Sequence, residues 1–262
     1  MTLLNVSPTN GIVYSNMRHV ADQYPTAWDA ERLNAQIFYD MERLALPLYR
    51  AIARLPEHMD DPAPLLEEAI ASCRAAFKLF ADTVKEGKLK KDAWMSHAQG
   101  FHGWGVDGYD GVSGDHSLFI RTLDAFLGIP LHTIDPPSTT WLGSLKNWWY
   151  GSPGHAIHEI PYSNSYLPTH QTTWIHAVRT ANLRTHLASR PEIDQMVRQL
   201  KLWRLGHTRK AVYYEDLELP ERRPMTASGG VMGGVSVSGE GNAGEMIQQL
   251  EVRLRARVDA TR

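Results

Sequence analysis

The chain has 262 residues and a formal net charge of −2, because 27 Lys and Arg nearly balance 29 Asp and Glu. Hydrophobic residues make up 43% of the chain and charged residues 21%, a composition that excludes a disordered or collagen-like protein. Since the sequence contains no basic tract, we expect no nucleic-acid partner. The single cysteine, Cys73, excludes an intrachain disulfide and a cysteine-based zinc cluster.

The hydropathy of the sequence argues against a membrane protein. No stretch approaches the roughly 18 consecutive apolar residues of a membrane span. The N-terminus lacks the basic region followed by an apolar run that is typical of a secretory signal. We therefore expect a cytoplasmic protein with no membrane partner. The twelve histidines and eight tryptophans are unusual and favour a site for a metal or an aromatic ligand.

Two helices are predicted in the first third of the chain. Apolar residues recur at spacings of three and four over residues 29–55, which predicts a long amphipathic helix that Pro47 kinks or splits and Pro56 ends. A second helix is predicted over residues 64–84, with Cys73 on its apolar face as a buried, inert thiol.

Helical patterns resume after a long segment without clear periodicity. Further helices are predicted over residues 117–127, 169–188, 191–214 and about 244–259. The segments between them are rich in Gly, Pro and aromatic residues, and they cover residues 94–114, 130–168 and 220–244. With no repeats and no run of strands, the sequence predicts an all-α fold: a single-domain helical bundle over residues 1–262 with long loops.

His207 is the most informative residue of the predicted helix 191–214. It shares one face of the helix with apolar side chains, at Met196, Leu200, Trp203 and Tyr214. Two interpretations follow from this pattern. His207 is either a core histidine that hydrogen-bonds a carbonyl, or an axial ligand of heme iron held in an apolar helix-lined pocket. In the second case the nearby Arg204 could pair with a heme propionate.

Three segments resemble the histidine-ligated heme-dependent aromatic oxygenases, a superfamily that includes tryptophan and indoleamine 2,3-dioxygenases and bacterial tyrosine hydroxylases. The run LKLWRLGHTRKAV resembles their proximal segment, in which an Arg precedes the iron-binding His by three residues, as Arg204 precedes His207. The run YDGVSGDHSLFIRTLDAFLGI resembles their distal loop and helix, and MTASGGVMGGV resembles their Gly-rich substrate loop. The resemblance covers roughly residues 94–258.

The resemblance implies a heme b enclosed by the helical bundle, with His207 as the axial ligand of the iron and Arg204 at a propionate. It implies that Ser113 and Gly114 leave room above the iron. It also implies that Asp124 hydrogen-bonds the other ring nitrogen of the axial histidine, directly or through water. Some hydroxylase relatives tether heme through a Cys four residues after that histidine. This chain has Ala at that position, so we expect a non-covalent heme.

The resemblance also implies a reaction. We expect 3-hydroxylation of L-tyrosine to L-DOPA with O2 or hydrogen peroxide, and the alternative is ring cleavage of tryptophan. His97 or His102 would hold the substrate phenol or relay a proton, while the small side chain of Ser113 would leave room for the oxygen ligand. Residues Ser228, Gly229 and Gly230 would close over the substrate. The Gly-Thr-Gly-Gly loop of the dioxygenases is not reproduced in this chain.

The sequence leaves alternatives for the residue that binds the substrate carboxylate and for the class of function. Arg18, Arg121 and Arg179 are candidates to bind the substrate carboxylate. Because the relatives are commonly oligomers, we expect a homo-oligomer. The interpretations from other classes are a non-catalytic heme sensor, which would need no substrate loop, and a heme-free helical module in which His207 is a core residue.

Overall fold

A computed structural model describes residues 6–7, 11–12, 25–94, 117–129, 167–215, 251, 254–255 and 257–261. These residues are almost entirely helical, which confirms the predicted all-α class. The described exception is a short antiparallel ladder between β1 (Val6–Ser7) and β2 (Gly11–Ile12). None of the helices in the described part of the chain combines the length and the apolar character needed to cross a membrane.

Eight α-helices whose two ends are described follow the ladder in chain order, and Leu55–Glu57 form a 3-10 helix. The α-helices are α1 (Pro25–Leu44), α2 (Leu46–Arg54), α3 (Ala63–Thr83), α4 (Lys91–Ala93), α5 (Leu118–Phe126), α6 (Thr169–Ala181), α7 (Leu183–His186) and α8 (Pro191–Glu215). The chain divides into two compact units, one formed by Met1–Phe101 with Leu217–Arg222 and the other by His102–Asp216 with Arg223–Arg262. The single domain predicted for residues 1–262 stays a prediction.

In the first unit, the helix predicted over residues 29–55 is split, as the proline in its middle predicts. Ala45 interrupts it, and Pro47 lies in the first turn of α2, where its missing N–H costs nothing. Both α1 and α2 pack against α3, which confirms the helix predicted over residues 64–84. The core between these helices contains Ile37, Met41, Leu48, Ile52, Leu66, Ile70 and Phe77.

Cys73 lies in this core and is 1% exposed. Burial raises the pKa of its thiol to about 12, so the nucleophilic thiolate is scarce at neutral pH. The prediction of a buried, inert thiol is confirmed.

Ser72 links α3 to the break between α1 and α2. Its hydroxyl donates to the carbonyl oxygen of Leu44, the last residue of α1, at 2.5 Å. We expect Ser72→Ala to lower the free energy of unfolding by about 1 kcal/mol, because the part-buried carbonyl of Leu44 loses its donor. Urea denaturation measures this change, and the exposed Ser189→Ala is the matched control. Equal stabilities of the two variants would show that this hydrogen bond contributes nothing.

The second unit contains the most completely buried helix. α5 begins at its N-cap Ser117, whose hydroxyl oxygen accepts from the Ile120 N–H at 3.2 Å. It ends before Gly128, which adopts φ 62°, a left-handed conformation that glycine reaches without strain. The helix packs against α6, where the indole N–H of Trp174 donates to Thr122 Oγ1 at 3.1 Å. This confirms the helix predicted over residues 117–127.

The helix predicted over residues 169–188 is divided into α6 and α7. Asn182 stands between them with φ 47°, a left-handed conformation that asparagine tolerates better than most residues. The helix predicted over residues 191–214 is confirmed as α8. The last predicted helix is described only in part, and its described residues between 251 and 260 are helical.

Candidate functional site

The buried face of α8 follows a row of residues spaced by four. Met196, Leu200, Arg204 and Thr208 are all buried along this row. Because four residues exceed one helical turn, such a row drifts about 40° around the helix at each step. His207 therefore lies beside the buried row at this level of the helix and is half-buried. The most buried position in this turn belongs to Arg204 instead.

A buried ion pair joins α8 to α5. The Arg204 guanidinium donates through Nη2 to both carboxylate oxygens of Asp124, at 2.6 Å and 2.7 Å. Its Nη1 donates to the hydroxyl oxygen of Thr261 at 2.5 Å. That hydroxyl in turn donates to the Arg257 carbonyl at 2.7 Å. Three segments that are far apart in sequence thus meet at one guanidinium.

The surroundings of this ion pair exclude water. The side chains of Arg204 and Asp124 are only 6% and 4% exposed, and Thr261 is fully buried. Burial raises the pKa of the Asp124 carboxyl, whereas its contact with Arg204 acts to lower it. The positive charges of Arg179 and Arg121 also act to lower it. Two of the arginines proposed for the substrate carboxylate therefore lie within electrostatic reach of this pair.

The imidazole of His207 is shaped by two neighbours on the same helix. It stacks on the Trp203 indole, with ring centroids 5.3 Å apart and planes 18° from parallel. Burial and the Arg204 charge lower the pKa of His207 from 6.5 to about 4. At neutral pH the ring is therefore uncharged, and its position is fixed by stacking.

His207 fits the predicted heme, whereas the contacts of Arg204 limit how a heme propionate could bind. A neutral imidazole is the form that binds iron, so His207 suits the predicted axial position. Arg204 is buried, and its contacts with Asp124 and Thr261 use up to three of its five N–H donors, so a propionate could use only the remaining ones. Among the described residues no group of three or more His, Cys, Asp or Glu could hold a metal ion.

The structure brings together two residues for which the resemblance implies different partners. It implies that Asp124 contacts the imidazole of His207 and that Arg204 contacts a propionate, but Asp124 and Arg204 bind each other. The pattern of the sequence does not single out Thr261. The only available signal was its spacing, three residues after the buried Val258, which continues the apolar row of the last predicted helix.

The other predicted site residues lie outside the described part of the chain. They are His97, His102, Ser113, Gly114, Ser228, Gly229 and Gly230. Their roles at the oxygen and at the substrate stay predictions.

Comparison with known proteins finds no family model, no curated protein and no solved structure that matches this chain. The resemblance of its three segments to the aromatic oxygenases therefore stays a prediction, and the site is interpreted from its own geometry.

Proposed function

We propose that this chain is a heme-dependent oxygenase of an aromatic amino acid, with His207 as the axial ligand of a non-covalent heme b. The observation that supports the proposal is the neutral, half-buried imidazole of His207, stacked on Trp203 one turn after a buried Arg204. A core histidine that only satisfies a carbonyl needs neither the stacking partner nor the adjacent buried charge. Bound heme would supply the activation of O2 or hydrogen peroxide.

In this proposal the described residues position the proximal side of the site. The ion pair between Arg204 and Asp124 ties the turn of α8 before His207 to α5. Since α5 is buried on nearly all sides, the helix that carries His207 cannot shift without moving packed side chains. The Trp203 indole restricts rotation of the imidazole. These contacts fix the direction in which the ring nitrogen points.

The substrate and the oxidant rest on the resemblance alone. We propose L-tyrosine, hydroxylated at ring position 3 to L-DOPA, with His97 or His102 at the phenol and residues 228–230 closing over the amino acid. A site built around a hydrogen bond to the phenol would reject phenylalanine strongly. We propose that the protein acts in the cytoplasm as a homo-oligomer. Ring cleavage of tryptophan and non-catalytic heme sensing are the alternatives that the following experiment separates.

The test is the absorption spectrum of purified protein after heme addition. We expect a Soret band that His207→Ala abolishes or shifts, because the axial nitrogen is removed. The control is His186→Ala, which removes an exposed histidine and should leave the spectrum unchanged. A spectral change on adding L-tyrosine supports the hydroxylase, and a change with L-tryptophan alone supports the dioxygenase. A heme spectrum that neither amino acid alters supports the sensor, while a protein without a Soret band contradicts the proposal.

A further inference from the structure

The outer side of α8 has an unusual combination of exposed residues. Leu202, Leu205 and Tyr213 are 68%, 38% and 48% exposed, although large apolar side chains are normally buried. Arg198 and Arg209 are exposed and lie among them. At 3.6 residues per turn these five residues fall within a sector of about 100°, on the side away from the buried row. We call these five residues the basic face.

Among the residues that the structure describes, the charge of the basic face is not compensated. Residues 195–214 contain five Lys and Arg and no Asp or Glu. Of these five, Arg204 is neutralised by the buried Asp124. In the described part of the chain neither Arg198 nor Arg209 forms an ion pair. Arg and Tyr are enriched at the centres of protein interfaces, so this composition is typical of a surface that binds another protein.

A face of opposite charge lies in the first unit. Five exposed carboxylates stand between the end of α2 and the second turn of α3, at Glu57, Asp60, Asp61, Glu67 and Glu68. No Lys or Arg occurs between Arg54 and Arg74. None of the five carboxylates forms an ion pair with any residue that the structure describes. We call these five residues the acidic face.

We propose that the basic face of one molecule binds the acidic face of a second copy of this chain. The residues of both faces are exposed. A second copy presents a complementary face at the same concentration as the first. The net charge of −2 leaves little general repulsion between copies, so the local charges decide the approach. In this contact Leu202 and Leu205 would be covered between the arginines.

Sedimentation velocity of the full chain as purified tests this proposal. We expect self-association at about 0.05 M salt that weakens by about tenfold or more at about 0.5 M, because exposed charges are screened. Two variants reverse the charge of one face each: Arg198→Glu with Arg209→Glu, and the combination of Asp60→Lys, Asp61→Lys, Glu67→Lys and Glu68→Lys. Each should be monomeric alone. Their mixture should associate, because one variant then presents two acidic faces and the other two basic faces.

The control is Lys85→Glu with Lys88→Glu. It changes the net charge as Arg198→Glu with Arg209→Glu does, but on exposed lysines outside both faces. It should associate like the original chain, and circular dichroism checks that all variants are folded. A wild-type chain that is monomeric at low salt, or association that survives both reversals, would overturn the proposal. If the chain is monomeric, the basic face would instead be a binding surface for a different, acidic protein. None of these outcomes depends on heme, so the result is independent of the proposed oxygenase.

Discussion

Replacing Asp124 by asparagine should lower the free energy of unfolding by about 3–5 kcal/mol, the range found when one partner of a buried ion pair is removed. The substitution keeps the size of the side chain but removes its charge. The Arg204 guanidinium is 6% exposed and would stay buried without a counter-ion in the described surroundings. Urea denaturation of the heme-free protein measures the change, with the slope against urea checked for constancy.

Two comparisons separate the loss of the charge pair from a general effect of mutation. Lys78→Met breaks the ion pair between Lys78 and Asp82 on the surface of α3 and should change the stability little. Replacing both partners, Arg204→Met with Asp124→Leu, should restore much of the stability that Asp124→Asn loses, because no charge is then left buried. An Asp124→Asn protein as stable as the original chain would mean that the pair contributes nothing.

The helices could be predicted from the sequence because their signals are local. Apolar spacing located α3 and α8, and Pro47 predicted the break between α1 and α2. The break at Asn182 was not predicted, since one asparagine in a helical pattern does not reveal that its backbone is left-handed. Periodicity reports which residues face inward, but not where a residue adopts an unusual φ.

The candidate site could be predicted only in part. The sequence identified Arg204, His207 and Asp124 as members of one site. It did not identify the ion pair between Asp124 and Arg204, because the 80 residues that separate them carry no local signal of contact. It also missed Thr261, whose hydroxyl has a role only once the last helix is placed beside α8. Pairings across long separations depend on packing, which the periodicity of a single sequence does not reveal.

The ion pair between Arg204 and Asp124 makes it unfavourable for a heme propionate to replace Asp124. If a propionate were to take the place of Asp124 at Arg204, it would replace a carboxylate that already accepts two hydrogen bonds at 2.6 Å and 2.7 Å. An exchange of one anion for another leaves the charge balance unchanged, but it would free Asp124 while burial disfavours its charged form. We therefore expect Arg204 to remain with Asp124 and to act on the heme site through the position of α8.

In heme-free protein, acidification should destabilise the fold through His207. Burial lowers the pKa of this imidazole to about 4, below the ordinary value of 6.5 that it regains on unfolding. Between these two values the unfolded state binds more protons than the folded state. The stability is therefore fully present above about pH 6.5 and is lost as the pH falls towards about 4. The shift corresponds to at most roughly 3 kcal/mol, at about 1.4 kcal/mol per pKa unit.

Urea denaturation between about pH 4 and pH 7 measures this dependence, and the comparison with His207→Gln isolates it from the carboxylates that titrate in the same range. The difference in unfolding free energy between the two proteins should grow with pH up to about 6.5 and then stay constant. His176→Gln removes an exposed histidine on α6 and should run parallel to the original chain. If His207→Gln also ran parallel, the imidazole would titrate as in water. The lowered pKa would then no longer support its assignment as an iron ligand.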